Sequence, residues 1–496
     1  MTDVVVVGGS ISGLVLALAL DRRGIGVTVV EADDVDGEEP RRATPQAGHS
    51  HAFLARCRTL LAAEAPDALD DLRAAGCHDI SLVDQRPGTV PAGVPHPGDR
   101  DLVVIAARRT TFEAALRRAA RRRPGISWVD GRVTGLLFVG AHDEPAPERG
   151  AKPAPRSGAA SVGGARAASR GVTVAGVGLE DGRALSARRL VVDASGRRTG
   201  MVGWLRDAGV EVVETAEECG IAYLTRFYRF YRGAPALPLD RGFAAGGSFD
   251  RYSCLVFPGD GDTFSVTFGV LPEDRALRSG LREPGAFDAA VRAIPSLAPW
   301  VDPATAEPAG EVRLMAGLLN RLTRPTAPVA GWTAVGDAAA TTNPAHSRGC
   351  TLGAVHAVAV ADAVAAHRDP ADLAEVCTAA LEREQSPWVA DSIEQDRQRL
   401  ARWRPESATP GTPGPAPGTA HRLGNGEVYA AARHDAYVWR RFTRLQQLLD
   451  RPADVLADPR VVARVRAVQA VGRPGPALVG PSHDELVELL AAAPVG

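Results

Sequence analysis

Val4-Val5-Val6-Val7-Gly8-Gly9-Ser10-Ile11-Ser12-Gly13-Leu14, with Val27-Thr28-Val29-Val30-Glu31 behind it, decides the fold. An unbroken valine run suits a parallel strand buried on both faces. Gly8 supplies a tight turn, helical spacing runs from Leu14 to Arg23, Gly24-Ile25-Gly26 stops it, and the second strand ends at Glu31. Such a βαβ unit turns the helix N-terminus toward a pyrophosphate, Gly13 lets the helix pack on the sheet, and Glu31 stands where a carboxylate accepts from adenosine ribose hydroxyls. The middle glycine position carries Ser10, which keeps its backbone amide but leaves a phosphate less clearance. The stretch therefore predicts a dinucleotide site without separating FAD from NAD.

Outward from this unit, Leu102–Ala106 reads as a strand and Thr111–Arg123 as a helix, while His49–Ala63 has helical spacing. Ile126–Val139 and Val172–Leu179 read as strands around a Pro/Ala/Gly/Ser-rich insert, 141–170, expected to be mobile. Leu190–Val192 and Gly331–Val335 return to the buried parallel style. Between them, Cys219–Phe268 moves toward period two and is rich in Phe and Tyr, among them Tyr223, Phe227, Tyr228, Phe230, Tyr231, Tyr252, Phe257, Phe264 and Phe268, which predicts a separate antiparallel sheet. Gly349–His367 reads as an Ala/Val-rich helix, and the chain beyond Asp369 as helical, broken by a linker near Pro405–Thr419.

The fold class expected is α/β: a Rossmann-like FAD-binding domain with a parallel sheet, an antiparallel-sheet substrate domain and a helical C-terminal region. The boundaries are 1–205 with 312–368 for the discontinuous cofactor domain, 206–311 for the substrate domain and 369–496 for the C-terminal region; 80–107 is a candidate addition to the substrate sheet.

Bulk properties restrict the partners. A chain of 496 residues with 45% hydrophobic and 23% charged residues is long enough for a large core, and its formal net charge of -2 gives no electrostatic case for nucleic acid or an anionic membrane. No apolar run reaches the ~20 residues of a membrane span. The first strand begins within three residues of the start, leaving no room for a signal peptide. Six cysteines without CxxC or metal spacing make free thiols and a cytoplasmic location the default, and no metal site is expected.

A second and a third stretch narrow the cofactor. Asp193-Ala194-Ser195-Gly196-Arg197 follows one buried strand; Gly336-Asp337 follows another and leads through Asn343-Pro344 to Gly349-Cys350-Thr351. With the opening unit, these resemble FAD-dependent monooxygenases related to para-hydroxybenzoate hydroxylase. The wording of Arg41 or Arg42, Pro45-Gln46, His49-x-His51 and Arg109 is nearest to the polyether-type epoxidases of bacterial specialised metabolism. The resemblance implies cofactor contacts from Gly8, Ser10, Gly13, Glu31, Arg42, Arg109, Asp337, Pro344, Gly349, Cys350 and Thr351. Asp337 would hold the ribityl chain, and the amides of the last three residues would face the pyrimidine end of the flavin. Gln46 and His49 would lie near the isoalloxazine edge as catalytic candidates.

The activity implied is insertion of one oxygen atom from O2, through a flavin C4a-hydroperoxide, as hydroxylation or epoxidation of an apolar or aromatic specialised metabolite. The aromatic sheet would cover the flavin and exclude water. The departure at Asp193–Gly196 from the hydroxylase motif leaves the electron source open: NADPH or NADH acts directly or through a separate flavin reductase. Partners otherwise reduce to a small-molecule substrate, with the chain a monomer or homodimer. Flavin halogenases share this fold, but the class uses an active-site lysine and a Trp-x-Trp-x-Ile-Pro segment; here Lys152 in the insert is the only lysine and no such segment occurs. An FAD-dependent dehydrogenase or reductase without oxygen insertion is the alternative activity, and flavin binding without catalysis a third.

Overall fold

The computed structural model describes residues 2–33, 45–91, 93–139, 171–404, 423–472 and 478–493. Arg42, Lys152, the 141–170 insert and the Pro405–Thr419 linker lie outside them.

The valine run forms the centre of a seven-stranded sheet. Thr2–Val7 runs parallel to Val27–Glu31 on one side, Val4 facing Val27, and to Ala184–Asp193 on the other, Val7 facing Asp193. Ile126–Asp130 lies outside Val27–Glu31, and Trp332–Ala334 runs parallel to Ala184–Asp193. An antiparallel extension, Val174–Leu179 and Val133–Phe138, completes the sheet. The predicted 126–139 strand is two strands, because the chain turns at Gly131, whose φ of 154° favours glycine.

The Ile11–Arg22 helix is apolar nearly all round and buried from Ile11 to Leu20 apart from Ser12. Such a helix has no solvent face. It packs between the sheet and the Gly349–Ala366 helix, the one described helix long and apolar enough to cross a membrane; most of that helix is likewise buried in the core. The helix expected from His49 begins only at Ala55, because His49, Ser50 and His51 turn their side chains to other partners and Phe53 bridges to Ile105.

A six-stranded antiparallel sheet forms from Ala245–Ser248, Tyr252–Pro258, Thr263–Val270, Ala222–Phe230, Ala306–Pro308 and Arg313–Met315. Its alternation sorts two chemistries. Phe264, Val266, Phe268 and Val270 point into an apolar core completed by helices Pro284–Arg292, Ala436–Gln446 and His483–Ala492. Thr263, Ser265 and Thr267 therefore point to the opposite face. His78–Ser81 pairs with Val103–Ala106 in its own two-stranded sheet, and Ile80, Val104 and Ala106 join the same apolar core. Val212–Glu218, Leu319–Pro325 and Ala340–Thr341 form a small three-stranded sheet. The Ser386–Trp403 helix lies against the segments flanking Asn343.

Candidate cofactor and active site

The glycine turn is held by close contacts that leave little freedom of sequence. Gly8 has φ 108°, and a Cβ there would stand 2.5 Å from the Ala194 carbonyl oxygen. A Cβ at Gly13 would overlap the Gly8 carbonyl oxygen, so this helix approaches its strand only with glycine. Ser10 is accommodated by turning its hydroxyl aside: Oγ donates to Glu113 Oε2 at 3.0 Å and accepts from Arg109 at 3.1 Å. Arg109 also ion-pairs with Glu113 at 3.6 Å, and Glu113 with Arg117 at 3.5 Å. Glu113 was missed in the sequence reading, although the Arg109–Glu113–Arg117 spacing of four was there to be read. Glu31 accepts from the Gly9 amide at 2.7 Å through Oε2 and from Ala32 and Asp33 at 2.8 and 3.0 Å through Oε1, tying the second strand to the turn.

Gly336 (φ 61°) and Gly353 both press on the Ser12 side chain, where a Cβ at either would overlap Oγ. This packing brings the starts of helices Ile11–Arg22 and Gly349–Ala366 to one cavity. Burial pushes the Asp337 carboxyl above the usual carboxylate range, while Arg109, Arg197 and Arg321 act in the opposite direction. Among the described residues, no donor hydrogen-bonds that carboxylate. Ser347 takes a left-handed conformation, φ 53° and ψ 24°, just before the second helix.

The cavity has a volume of about 1310 Å³. Gly8, Ser10, Glu31, Gln46, His49, Arg109, Asp337, Pro344, Gly349 and Cys350 line it. Gly13 and Thr351 do not; Gly13 lies under the turn and Thr351 is fully buried behind the helix start. Asp193 is also taken up internally: it accepts from the Ser195 amide (3.0 Å), the Ser195 hydroxyl (2.6 Å) and the Thr199 hydroxyl (2.5 Å), which caps the turn after its strand.

His49 meets the polar face of the antiparallel sheet. Its Nδ1 lies 3.0 Å from Thr225 Oγ1, Thr225 is 2.8 Å from Thr267 Oγ1, and Thr267 is 2.6 Å from Ser50 Oγ, which donates to Ser265 Oγ at 2.7 Å. Each hydroxyl has one proton to give. Since Ser50 spends its proton on Ser265, Thr267 donates to Ser50, Thr225 to Thr267, and His49 Nδ1–H to Thr225. The chain thus fixes the Nδ1–H tautomer and leaves Nε2 with its lone pair. Burial, assisted by Arg313, lowers His49 to a pKa of about 4, so the ring is neutral at pH 7. His51 is lowered to about 3 by burial and Arg109; its Nδ1 lies 2.9 Å from the His49 carbonyl oxygen and its Nε2 3.4 Å from Arg109.

The expectation that the aromatic sheet faces the cavity needs correction. None of the Phe and Tyr residues of 219–268 lines the cavity; Tyr228, Tyr252, Phe264 and Phe268 pack under the C-terminal helices instead. Period two puts Tyr228, Phe264 and Phe268 on the helical side, and Tyr223, Phe227 and Phe257 on the other with Thr225, Ser265 and Thr267.

Residues 1–50 match the family model described as FAD binding domain. No curated protein matches the chain in sequence. Its structure is similar to the flavin-dependent brominase Bmp2 (TM-score 0.57, 16% identity, covering 95% of this chain and 99% of that one). It is also similar to pqsL, a probable FAD-dependent monooxygenase from Pseudomonas aeruginosa (TM-score 0.55, 15% identity, 81% and 98% covered), and to a flavoprotein/dehydrogenase from Cytophaga hutchinsonii (TM-score 0.58, 14% identity, 95% and 100% covered). The fold is thus the one these flavoenzymes share. The opening segment of that fold is the part that matches the FAD binding domain.

The donor set fits the cofactor. The cavity exceeds the ~300–1,000 Å³ usual for small ligands, two helix N-termini open on it, Arg109 offers a cation, and Asp337 offers a carboxylate free to accept from hydroxyls.

Proposed function

We propose that this protein is an FAD-dependent monooxygenase, inserting one oxygen atom from O2 into a small-molecule substrate by hydroxylation or epoxidation. Electrons come from NADPH or NADH, directly or through a flavin reductase. The observation that carries the reading is the single cavity joining two helix N-termini, Arg109 and Asp337 to His49 at its wall.

FAD, when bound, supplies the redox chemistry with oxygen. The amides that open the Ile11–Arg22 helix, with Ser10 and Arg109, neutralise its pyrophosphate. Asp337 accepts from ribityl hydroxyls, and the Gly349–Cys350 amides favour negative charge at the pyrimidine end. Pro344 would contact the cofactor from the loop before that helix, Gly13 would support the pyrophosphate turn and Thr351 the second helix start, and Arg42 remains a candidate phosphate partner. His49 Nε2, neutral and held by the hydroxyl chain, takes a proton from a substrate hydroxyl or orients it, and Gln46 offers an amide beside it. Support for a substrate with a hydrogen-bonding group comes from the polar sheet face at His49; support for a purely aromatic enclosure is lacking.

The test is to load the protein with FAD, reduce it, mix it rapidly with oxygen and follow the flavin spectrum. Oxygenation predicts a resolved transient phase before oxidised flavin returns. A single direct return, with anaerobic turnover on an artificial acceptor, would replace this reading with the dehydrogenase. Product formation dependent on bromide or chloride would replace it with halogenation.

A further inference from the structure

The loop from Asn343 to Arg348 presents Pro344 and Ser347 to the cavity, yet it makes its own anchorage elsewhere. Asn343 is fully buried; its Nδ2 donates to Asp396 Oδ1 at 2.5 Å, and its backbone amide donates to Asn320 Oδ1 at 2.8 Å. Asn320 in turn donates to Asp396 Oδ2 at 2.7 Å, so one carboxylate holds both asparagines. Arg399 balances its charge at 3.1 Å. From the antiparallel sheet, Tyr223 donates its hydroxyl to Asn343 Oδ1 at 2.6 Å.

The other end of the loop is gripped from the same helix. Arg348, nearly buried, pairs with Asp391 at 2.7 Å and lies over the Trp388 ring at 4.8 Å. A cation at a helix N-terminus is unfavourable against the dipole; Asp391 cancels it and draws the guanidinium away from the cavity. A buried polar network with its partners in place is rigid, and a half-satisfied one is costly. Between the two grips sits Ser347, in a backbone conformation that an L-residue holds only when its surroundings enforce it.

We propose that the Ser386–Trp403 helix is the positioning device of the cofactor loop, with Asp396 and Asp391 as positioning residues that set the loop's shape for FAD. This rests on the reading that the cavity holds FAD. Asp396→Asn keeps the size of the side chain but sets an NH2 against an asparagine donor and leaves Arg399 without its counter-charge.

The experiment titrates FAD into apoprotein of wild type, Asp396→Asn and Asp391→Asn. It also records apoprotein melting and the visible spectrum of bound flavin. Asp288→Asn is the control, since it breaks a polar cluster with Tyr228 and Arg226 in the sheet core, away from the loop. The expected result is at least a tenfold rise in FAD Kd and an altered flavin spectrum in both loop-grip variants, with melting losses no larger than the control's and an unchanged Kd in the control. A Kd within twofold of wild type, or a rise shared by the control at equal melting loss, overturns the proposal. If Asp396→Asn does not fold, Tyr223→Phe decides: it removes one hydroxyl from the network and should raise Kd at least threefold, and no change overturns the proposal. Wild type that does not take up FAD overturns the cofactor reading and this inference with it.

Discussion

His356 sits on the Gly349–Ala366 helix with no exposed surface, and among the described residues neither ring nitrogen has a hydrogen-bond partner. Burial, assisted by Arg383, lowers its pKa to about 4. In the unfolded chain the ring titrates near ~6.5. As pH falls through that value the unfolded state takes up a proton that the native state refuses, so stability is full above ~6.5 and is lost toward the folded value at ~1.4 kcal/mol per pH unit. At about pH 5 the native state has lost roughly 2 kcal/mol through this residue, against almost nothing at about pH 7.5. His356→Leu removes the linkage and two unsatisfied buried atoms, worth ~1–3 kcal/mol, against a shape mismatch of under ~1.5 kcal/mol. The variant should therefore be more stable by about 1 kcal/mol near neutrality and by about 3 kcal/mol at about pH 5. Urea unfolding of both proteins at the two pH values, followed by tryptophan fluorescence, reads the difference. His49 titrates in the same window but cancels between the proteins. An advantage that does not grow as pH falls would refute the assignment of a neutral, unpartnered imidazole.

Three other substitutions probe the site. Gly13→Ala drives a Cβ into the Gly8 carbonyl and should cost ~1–3 kcal/mol or more of stability and abolish FAD retention, checked by denaturant melts and flavin content after gel filtration. Ser347→Gly releases ~1–2 kcal/mol of left-handed strain but adds ~0.5–1 kcal/mol of unfolded-chain entropy, so a net gain of up to ~1.5 kcal/mol is expected in the same melts. Thr225→Val cuts the hydroxyl chain beside His49; nitrogen-15 NMR should report Nδ1–H in wild type and a shift toward the other tautomer in the variant.

What the sequence made legible was what neighbouring residues decide among themselves. The valine run, the glycine turn and the two buried strands ending at Asp193 and Ala334 carry their geometry in local pattern, and the structure pairs them in one parallel sheet. The polar grip on the cofactor loop was not legible, because Asn343 meets partners 53 and 120 residues away, and Asp396 on an amphipathic helix reads as a solvated charge. The aromatic sheet was misread for a related reason. Period two identifies strands, yet it does not say which face meets the helices; Thr225, Ser265 and Thr267 only acquire meaning once His49 and Ser50 are brought to them from nearly two hundred residues upstream. His49–Ala63 likewise kept helical spacing, but tertiary partners for His49, Ser50 and His51 delayed the helix to Ala55.

One physical cause, burial, suppresses several of the cavity's own charges. It holds His49 and His51 neutral and pushes Asp337 toward its neutral form. Glu31 spends its carboxylate on three backbone amides. The cations at its wall are Arg109, ion-paired with Glu113, and Arg132, Arg197, Arg198 and Arg321, together with the positive ends of two helices. A cavity with that balance attracts a polyanion to one part of its wall, while the Nδ1–H tautomer keeps a neutral base at another. The separation matters for the proposed FAD-dependent oxygenation. A protonated His49 would add a cation beside the flavin and have no lone pair at Nε2, whereas the hydroxyl chain and burial keep it unprotonated far below pH 7. On that reading the protein would hold positive charge for the cofactor and a neutral acceptor for the substrate within one enclosure, with burial keeping the two apart.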